Sequence, residues 1–459
     1  MCKSFRPGLI MSFMLLTTSL ATGQLVMSSS VGSEAEVRYS ATRTEGGLNE
    51  RNAWQESMNQ AKQLRDRAQY TEAEKGYRFA LAEAEKCGPD SRRVALSLNA
   101  LAELYVAEDR LTEAEPLYQR SLEISEKTER PEDRNVAIAL NGVASLCTAR
   151  ARYTAAEQLL RRAFVIQQKR LDSSHPDLVI TLNNLAILRK AQGRYIEVEP
   201  LLRRALAIAK KSAGLDHPAV AVIISSLACN YHVLGRLLES ESLNRQATAI
   251  FERTLSAEHP DLAMSLNNLA SVSQSQRRYS EAERLYRRSL EINERALGES
   301  HPAVALVMSN LATMYVEQKK FEQAESLYLR SLGIYEKAFG LGHPDVAIVR
   351  GNLAKAYVLE HRYTEAEEFF KSALAVEEQS LQSDHPDLAQ TLIDYALLLR
   401  KTKRKSEAKA LDTRAQRIIA NNPSHRTSRL TLDVRANSQY DLSQQKGHLL
   451  PKKTTQVDF

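Results

Sequence analysis

Histidine is the first residue type in this sequence that invites a chemical interpretation, because imidazole is a common metal ligand and proton carrier. The dipeptide His-Pro recurs with a constant step of 42 residues. Equivalent positions in stacked helical repeats lie about 8–10 Å apart, whereas zinc ligands lie about 2 Å from the metal, so consecutive histidines cannot share one ion. We therefore interpret these histidines as residues of helix entry and loop packing. They are His175, His217, His259, His301, His343 and His385.

Six asparagines are stronger candidates for a binding function, since most of them stand directly before a repeated Leu-Ala pair. A primary amide offers both a donor and an acceptor, which match the two hydrogen-bonding groups of a peptide unit. This chemistry suits a hydrogen bond to the backbone of a peptide and also one to the neighbouring repeat, and the two roles are compatible. We call the following residues the asparagine row: Asn184, Asn268, Asn310 and Asn352, with Asn183 and Asn267 one position earlier. The positions that interrupt the row are Ala100, Gly142, Ser226 and Asp394.

Sequence signatures of catalysis are absent. The chain contains no G-x-S-x-G, no phosphate-binding loop, no H-E-x-x-H and no C-x-x-C, the short motifs that carry nucleophilic, nucleotide or metal chemistry. We therefore predict a protein that is not an enzyme and that has no cofactor.

Basic residues have simpler interpretations than nucleic-acid binding. The densest run, from Arg400 to Lys405, could meet an acidic protein, nucleic acid or lipid, but terminal repeats need polar outer surfaces and we favour that role. The arginine pairs that begin at Arg161, Arg203 and Arg287 follow a glutamate by four residues, a spacing that predicts ion pairs along a helix surface. No aromatic residues interleave with them in the way that single-strand binding requires.

All these residues are positioned by a repeat of two helices. After a His-Pro, as over 178–191, apolar residues recur three and four apart, and a short turn and a second helical stretch follow. Proline suits the first position of a helix, and alanines at fixed positions let neighbouring helices pack closely. One such pair cannot bury its apolar faces, whereas stacked pairs can. We predict an all-α solenoid of about nine helix pairs over residues 49–420.

The repeated unit resembles the tetratricopeptide repeat. It shows L-x-N-L-A in the first helix, a turn with Arg and Tyr, and E-A-E-x-L-Y-x-R in the second helix, and its 42-residue period with His-Pro is similar to that of kinesin light chains and their bacterial relatives. This resemblance implies a right-handed superhelical α-solenoid whose first helices line a concave groove. It also implies that the asparagine row hydrogen-bonds a peptide held in that groove, beside apolar residues such as Ile187 and Met264 that would supply selectivity.

The two ends of the chain differ from the repeats. Residues 1–23 combine basic residues with an apolar run and small residues, which predicts a cleaved signal peptide and an exported protein, periplasmic or secreted; an uncleaved membrane anchor is the alternative. Residues 24–48 and 421–459 are polar and non-periodic, which is typical of a flexible linker and a disordered tail. The net charge is +6, but residues 1–23 and 421–459 hold 8 basic and 3 acidic side chains, which leaves +1 for 24–420.

The sequence therefore predicts a protein–protein interaction scaffold that holds a peptide or partner segment in a concave groove. The expected partner is a protein or peptide. Neither nucleic-acid binding by the nearly neutral solenoid nor a stable membrane span after signal cleavage is expected. The alternative function is that of a structural module of an envelope complex that associates with itself.

Overall fold

The computed structural model describes residues 45–421, apart from 109, 129–132, 171, 173 and 382. Within these residues, eighteen α-helices form nine antiparallel pairs in chain order, which we number as repeats 1 to 9. Odd-numbered helices are the first helices of the repeats and even-numbered helices are the second helices. Their bounds are α1 Glu45–Arg65, α2 Tyr70–Lys86, α3 Arg92–Ala107, α4 Leu111–Thr128, α5 Arg134–Ala149, α6 Tyr153–Arg170, α7 Asp177–Ala191, α8 Val198–Ala213, α9 Pro218–Val233, α10 Leu237–Thr254, α11 Pro260–Ser275, α12 Tyr279–Leu297, α13 Pro302–Glu317, α14 Phe321–Phe339, α15 Pro344–Leu359, α16 Tyr363–Ser380, α17 Pro386–Lys401 and α18 Lys405–Asn421.

Each helix packs mainly against its neighbours in the chain, and most first helices also contact the first helix of the next repeat. The alanines that the sequence places in the second helices, such as Ala282, Ala324 and Ala366, are fully buried and allow this close approach. The predicted fold class is confirmed: the protein is a right-handed superhelical α-solenoid of helix-turn-helix repeats.

The histidine of each His-Pro dipeptide caps the helix that follows it. Nδ1 of His301 accepts a hydrogen bond from the backbone N–H of Ala303 at 3.1 Å. The cap satisfies one of the backbone donors that the first helical turn leaves unpaired. In repeats 5 to 9 the proline takes the first helical position, as the sequence predicted. The same ring contact is present at His175, His217, His259, His343 and His385.

The first helices in the middle of the chain are buried on nearly every face. All residues from Pro302 to Val316 of α13 are buried, and in α7 only Asp177 and Ile180 are not. A helix with this surrounding has protein on all sides, including the side where a groove would lie.

The cause of this burial is that the superhelix closes on itself. Nε2 of His343 lies 3.2 Å from the carbonyl oxygen of Ala149, and Nε2 of His385 lies 2.9 Å from that of Ala191, in each case 194 residues earlier in the chain. One superhelical turn therefore takes between four and five repeats, and later repeats pack on earlier ones. The family resemblance implied a concave groove lined by the first helices; in the described conformation this side of the first helices is covered, which agrees with so tight a turn.

Several predictions about the chain ends concern residues outside the described part. They are the signal peptide over 1–23, most of the linker over 24–48 and almost all of the tail over 421–459. The first helix, α1, begins at Glu45, slightly before the predicted start of the solenoid at residue 49. Among the described helices, none combines the length and the apolar character that crossing a membrane requires.

Candidate peptide-binding site

The asparagine row follows the first helices through the interior of the superhelix. Asn184 lies on α7, Asn268 on α11 and Asn310 on α13, at the same position of each helix. These three residues, with Asn183 and Asn267, are between 1% and 4% exposed, and Asn352 on α15 is half-buried. The predicted residues therefore recur at two adjacent positions of the first helices, and these positions are largely covered in the described conformation.

Some members of the row bond to one another across repeats. Nδ2 of Asn184 donates to Oδ1 of Asn141 at 3.4 Å, and Nδ2 of Asn310 donates to Oδ1 of Asn267 at 3.0 Å. Nδ2 of Asn141 in turn donates to Oγ1 of Thr181 at 2.8 Å. The alternative role considered for these amides, a hydrogen bond to the adjacent repeat, is therefore present at Asn184, Asn267 and Asn310.

Other polar atoms of the row have no partner. Oδ1 of Asn183, Asn184 and Asn268 and Nδ2 of Asn352 are buried and make no hydrogen bond to the described residues. A buried polar group left in this state costs about 1–3 kcal/mol, so each one needs a structural or functional reason. These atoms are the part of the row whose hydrogen-bonding capacity is unused among the described residues.

Two residues that interrupt the row have structural roles. Gly142 makes room for an aromatic ring, since a Cβ atom at this position would lie 2.3 Å from Cε1 of Tyr118. Asp394 accepts a salt bridge from Nζ of Lys355 at 3.1 Å. Lys355 is a cation beside the row, and this pairing places its charge against a carboxylate of the solenoid itself.

Outside the interior, glutamates of the second helices join one repeat to the next. Glu157 accepts two hydrogen bonds from Arg189, both at 3.0 Å, and Glu367 accepts two from Arg404 at 2.7 and 2.8 Å. These hydrogen bonds are the main cause that lowers the pKa of both carboxyl groups to about 2. The predicted pairs within one helix also form, for example Glu157 with Arg161 at 2.6 Å.

These glutamates should make the protein sensitive to acid. A carboxyl group whose pKa is lower in the folded than in the unfolded chain contributes stability that is present above the unfolded value and is lost as pH falls through the folded value. For Glu157 and Glu367 the window runs from the ordinary value of 4.5 down to about 2. We expect the melting temperature to fall across this window in a thermal unfolding series.

The test variant combines Glu157→Gln with Glu367→Gln. Its melting temperature should fall less steeply with decreasing pH than that of the wild type. Glu72→Gln serves as the control, because Glu72 is exposed and pairs with Lys75 inside one helix; it should keep the wild-type profile. An equally steep acid limb in the double variant would contradict the assignment.

Some of the basic residues from Arg400 to Lys405 form ion pairs within the solenoid. Arg400 bonds Asp412 at 2.5 Å, and Arg404 bonds Glu407 at 2.6 Å in addition to its contacts with Glu367. These contacts favour the interpretation of the run as the polar end face of the last repeat. The side chains that remain exposed are those of Lys401, Lys403 and Lys405.

The closure of the interior was missed by the sequence analysis, although a signal for it exists. In α13, the run from Val304 to Met308 is apolar on every face instead of along one stripe, and the run over 219–224 of α9 is similar. A helix that is apolar all round is buried all round. These two helices therefore indicated that protein covers the side expected to form the groove.

Several solved structures match this chain. BtubC from P. vanneervenii matches with 23% identity over 59% of this chain and 97% of its own, at a TM-score of 0.39. A putative kinesin light chain of Podosopora anserina matches with 27% identity over 46% of this chain and 98% of its own, at a TM-score of 0.36. A Rap protein complexed with competence and sporulation factor has 14% identity, covers 81% of this chain and 99% of its own, and reaches a TM-score of 0.60, which supports a shared fold.

The family of the chain is shown by its repeats. No curated protein matches it significantly. The model of the tetratricopeptide repeat, however, matches in eight overlapping segments that run without a gap from residue 55 to residue 420. These segments contain the capping histidines, the asparagine row and the buried alanines described above, and the chain therefore belongs to the tetratricopeptide repeat family.

Proposed function

We propose that the protein is a non-catalytic protein–protein interaction scaffold that holds an extended peptide segment along the asparagine row. One observation carries this proposal: polar atoms of Asn183, Asn184, Asn268 and Asn352, on first helices of repeats 4, 6 and 8, are buried without a partner among the described residues. An extended peptide presents N–H and C=O groups at regular intervals, and a primary amide can bond both kinds of group. Binding would relieve the desolvation cost of the unpaired atoms.

The apolar neighbours of the row fit the same ligand. Ile187 and Met264 are buried in the interior, where they would contact the side chains of a bound segment and select among sequences. The Rap protein that shares this fold was solved in complex with competence and sporulation factor. That complex is a property of the Rap protein; for this chain it supports the general expectation of a protein or peptide partner.

The experiment is a peptide selection followed by an affinity measurement. Random peptides displayed on phage are selected on the wild-type chain, and the Kd of the enriched peptide is measured by calorimetry. Asn268→Ala combined with Asn352→Ala is expected to weaken binding about tenfold, because each hydrogen bond contributes about 0.5–1.5 kcal/mol.

Asn293→Ala is the matched control. Asn293 is also a buried asparagine whose Oδ1 has no partner, but it lies on the second helix α12 and outside the row. Its substitution should leave the Kd unchanged. The proposal fails if the folded double variant binds as tightly as wild type, if Asn293→Ala weakens binding equally, or if no peptide is enriched.

Self-association, the alternative function, has weaker support. It would need a continuous apolar patch, whereas large exposed apolar side chains of the described residues are distributed over separate helices and loops. Phe79 lies on α2, Val165 on α6 and Leu329 on α14. Among these described side chains, only Ile196 and Leu238 occupy equivalent positions in adjacent repeats, and two side chains make a small contact. Peptide binding by the interior row therefore stands ahead.

A further inference from the structure

The capping histidines also connect successive turns of the superhelix. Nδ1 of His343 accepts the backbone N–H of Asp345 at 3.2 Å, so in the neutral ring Nε2 carries the proton. This Nε2–H donates to the carbonyl oxygen of Ala149 at 3.2 Å, and His385 donates in the same way to Ala191 at 2.9 Å. One imidazole thus caps a helix in one turn and binds the end of a first helix in the turn before.

The bonded carbonyls belong to the last residues of first helices. Ala149 ends α5 and Ala191 ends α7, and the final carbonyls of a helix have no partner within it. His301 lies in the equivalent place near Ala107, the last residue of α3, but its Nε2 is buried without a hydrogen-bond partner among the described residues. We call His343 and His385 the latch histidines.

Residues at equivalent positions of different repeats differ in exposure, according to whether another superhelical turn lies against them. The side chain of His385 is 1% exposed, whereas that of His175, whose Nδ1 bonds the first turn of α7 in the same way but which has no described turn before its own, is 34% exposed. The tyrosines that follow the short loop between the two helices of a repeat show the same dependence of burial on position in the chain. Tyr153 and Tyr195 in early repeats are buried, and Tyr363 in a late repeat is partly exposed. The same sequence position is covered where another turn lies over it.

The boundary between turns is small. Leu297, at the end of α12, packs against the core of repeats 1 and 2, and Leu381, after α16, packs against that of repeats 3 and 4. Contact between turns is sparse in comparison with the packing between consecutive helices. An interface of a few hydrogen bonds and isolated apolar contacts opens at a lower free energy than the repeat core.

We propose that the latch histidines gate the asparagine row: they hold the superhelix closed, and an extended peptide reaches the row only after successive turns separate. The part of this proposal that concerns the peptide rests on the proposed function. The gate itself is a property of the free protein, because it concerns contacts between parts of one chain. It explains how the surface that carries the unpaired amides is covered in the described conformation and still serves a partner.

A cysteine of the chain reports on the interior. Cys229 is 5% exposed and lies three residues after Ser226, which occupies the row position on α9, so the two side chains share one face of that helix. Cys87 is exposed, so its rate of modification serves as the reference for the reagent in the same molecule. The measurement is the rate of modification of each cysteine by N-ethylmaleimide, followed by mass spectrometry of the two peptides.

The latch variant is His343→Asn with His385→Asn. Asparagine is a good N-cap residue, so the helix caps are kept, but its side chain is too short to reach the earlier turn. We expect the rate at Cys229, relative to Cys87, to rise about tenfold, because opening breaks two fewer hydrogen bonds. His175→Asn is the matched control: it changes the same position and cap where no turn contact exists, and it should leave the rate unchanged.

The outcomes separate the gate from the proposed function. An unchanged rate at Cys229 in the folded latch variant overturns the gate. Peptide binding is then still tested separately, by the affinity of the variants at Asn268 and Asn352. If the double variant does not fold, each single substitution is measured instead and should give a smaller rise; no rise in either overturns the gate. A faster rate supports the gate even where the peptide selection yields no binder, in which case only the proposed function fails.

Discussion

Replacing Gly142 by alanine is expected to destabilise the protein by about 1–3 kcal/mol, the range typical of an overpacked core. A Cβ atom here would lie 2.3 Å from Cε1 of Tyr118 and 3.0 Å from Oδ1 of Asn99. The ring cannot easily retreat, because Tyr118 is 1% exposed. Displacement of Asn99 would also disturb Glu103, which accepts a hydrogen bond from Nδ2 of Asn99 at 2.6 Å.

Gly351 provides the matched control for this substitution. It is also a buried glycine of a first helix, α15, but the nearest atom to a Cβ there is Oγ1 of Thr391 at 3.9 Å. Gly351→Ala should stabilise the protein by about 0.5–1 kcal/mol, because glycine weakens a helix interior. Urea unfolding followed by circular dichroism compares the two variants. Shifts of the same sign and size would contradict the packing argument.

Much of the fold follows from chemistry that is local in sequence. His385, Pro386 and Asp387 predict the start of a helix from their types alone, and α17 does begin at Pro386 with His385 as its cap. Ala282 and Ala324 predict close helix packing in the same way. Features of this kind are predictable since the residues that cause them lie within a few positions of one another.

The state of the candidate site depends on contacts that no local pattern contains. The position of Asn268 on a first helix was predictable, but its burial results from the pitch of the superhelix, which accumulates over many repeats. His385 was predicted to cap a helix, whereas its second bond, to a residue 194 positions earlier, depends on that pitch. Gly142 similarly looked like a break in the asparagine row, because Tyr118, the ring that requires it, belongs to the preceding repeat.

Loss of the buried ion pair between Arg65 and Glu103 should have the largest effect on stability. Nη1 of Arg65 lies 3.2 Å from Oε2 of Glu103, and the two side chains are 2% and 9% exposed. Burial raises the pKa of Glu103 to about 7, although Arg65 and the hydrogen bond from Asn99 act in the opposite direction. Arg65→Met leaves this carboxylate without its cation and is expected to cost about 3–5 kcal/mol at pH 8.

Lys75→Met is the control for the removal of a cation. Nζ of Lys75 lies 2.8 Å from Oε1 of Glu72, but both side chains are more than half exposed. Exposed pairs of this kind contribute little, so the substitution should leave urea unfolding almost unchanged at every pH.

The cost of Arg65→Met should depend on pH with a definite sign. A carboxyl group whose pKa is raised on folding contributes stability that is present below its unfolded value, here about 4.5, and is lost as pH rises through the folded value. Without Arg65 the folded value rises further, so the variant should approach wild-type stability at pH 5 and fall well below it at pH 8. Adding Glu103→Gln should remove most of this dependence, because the other carboxylate bonded to Arg65, that of Asp66, is 46% exposed and needs its cation less. A deficit of equal size at both pH values would show that Arg65 acts through its packing and not by compensating the charge of Glu103.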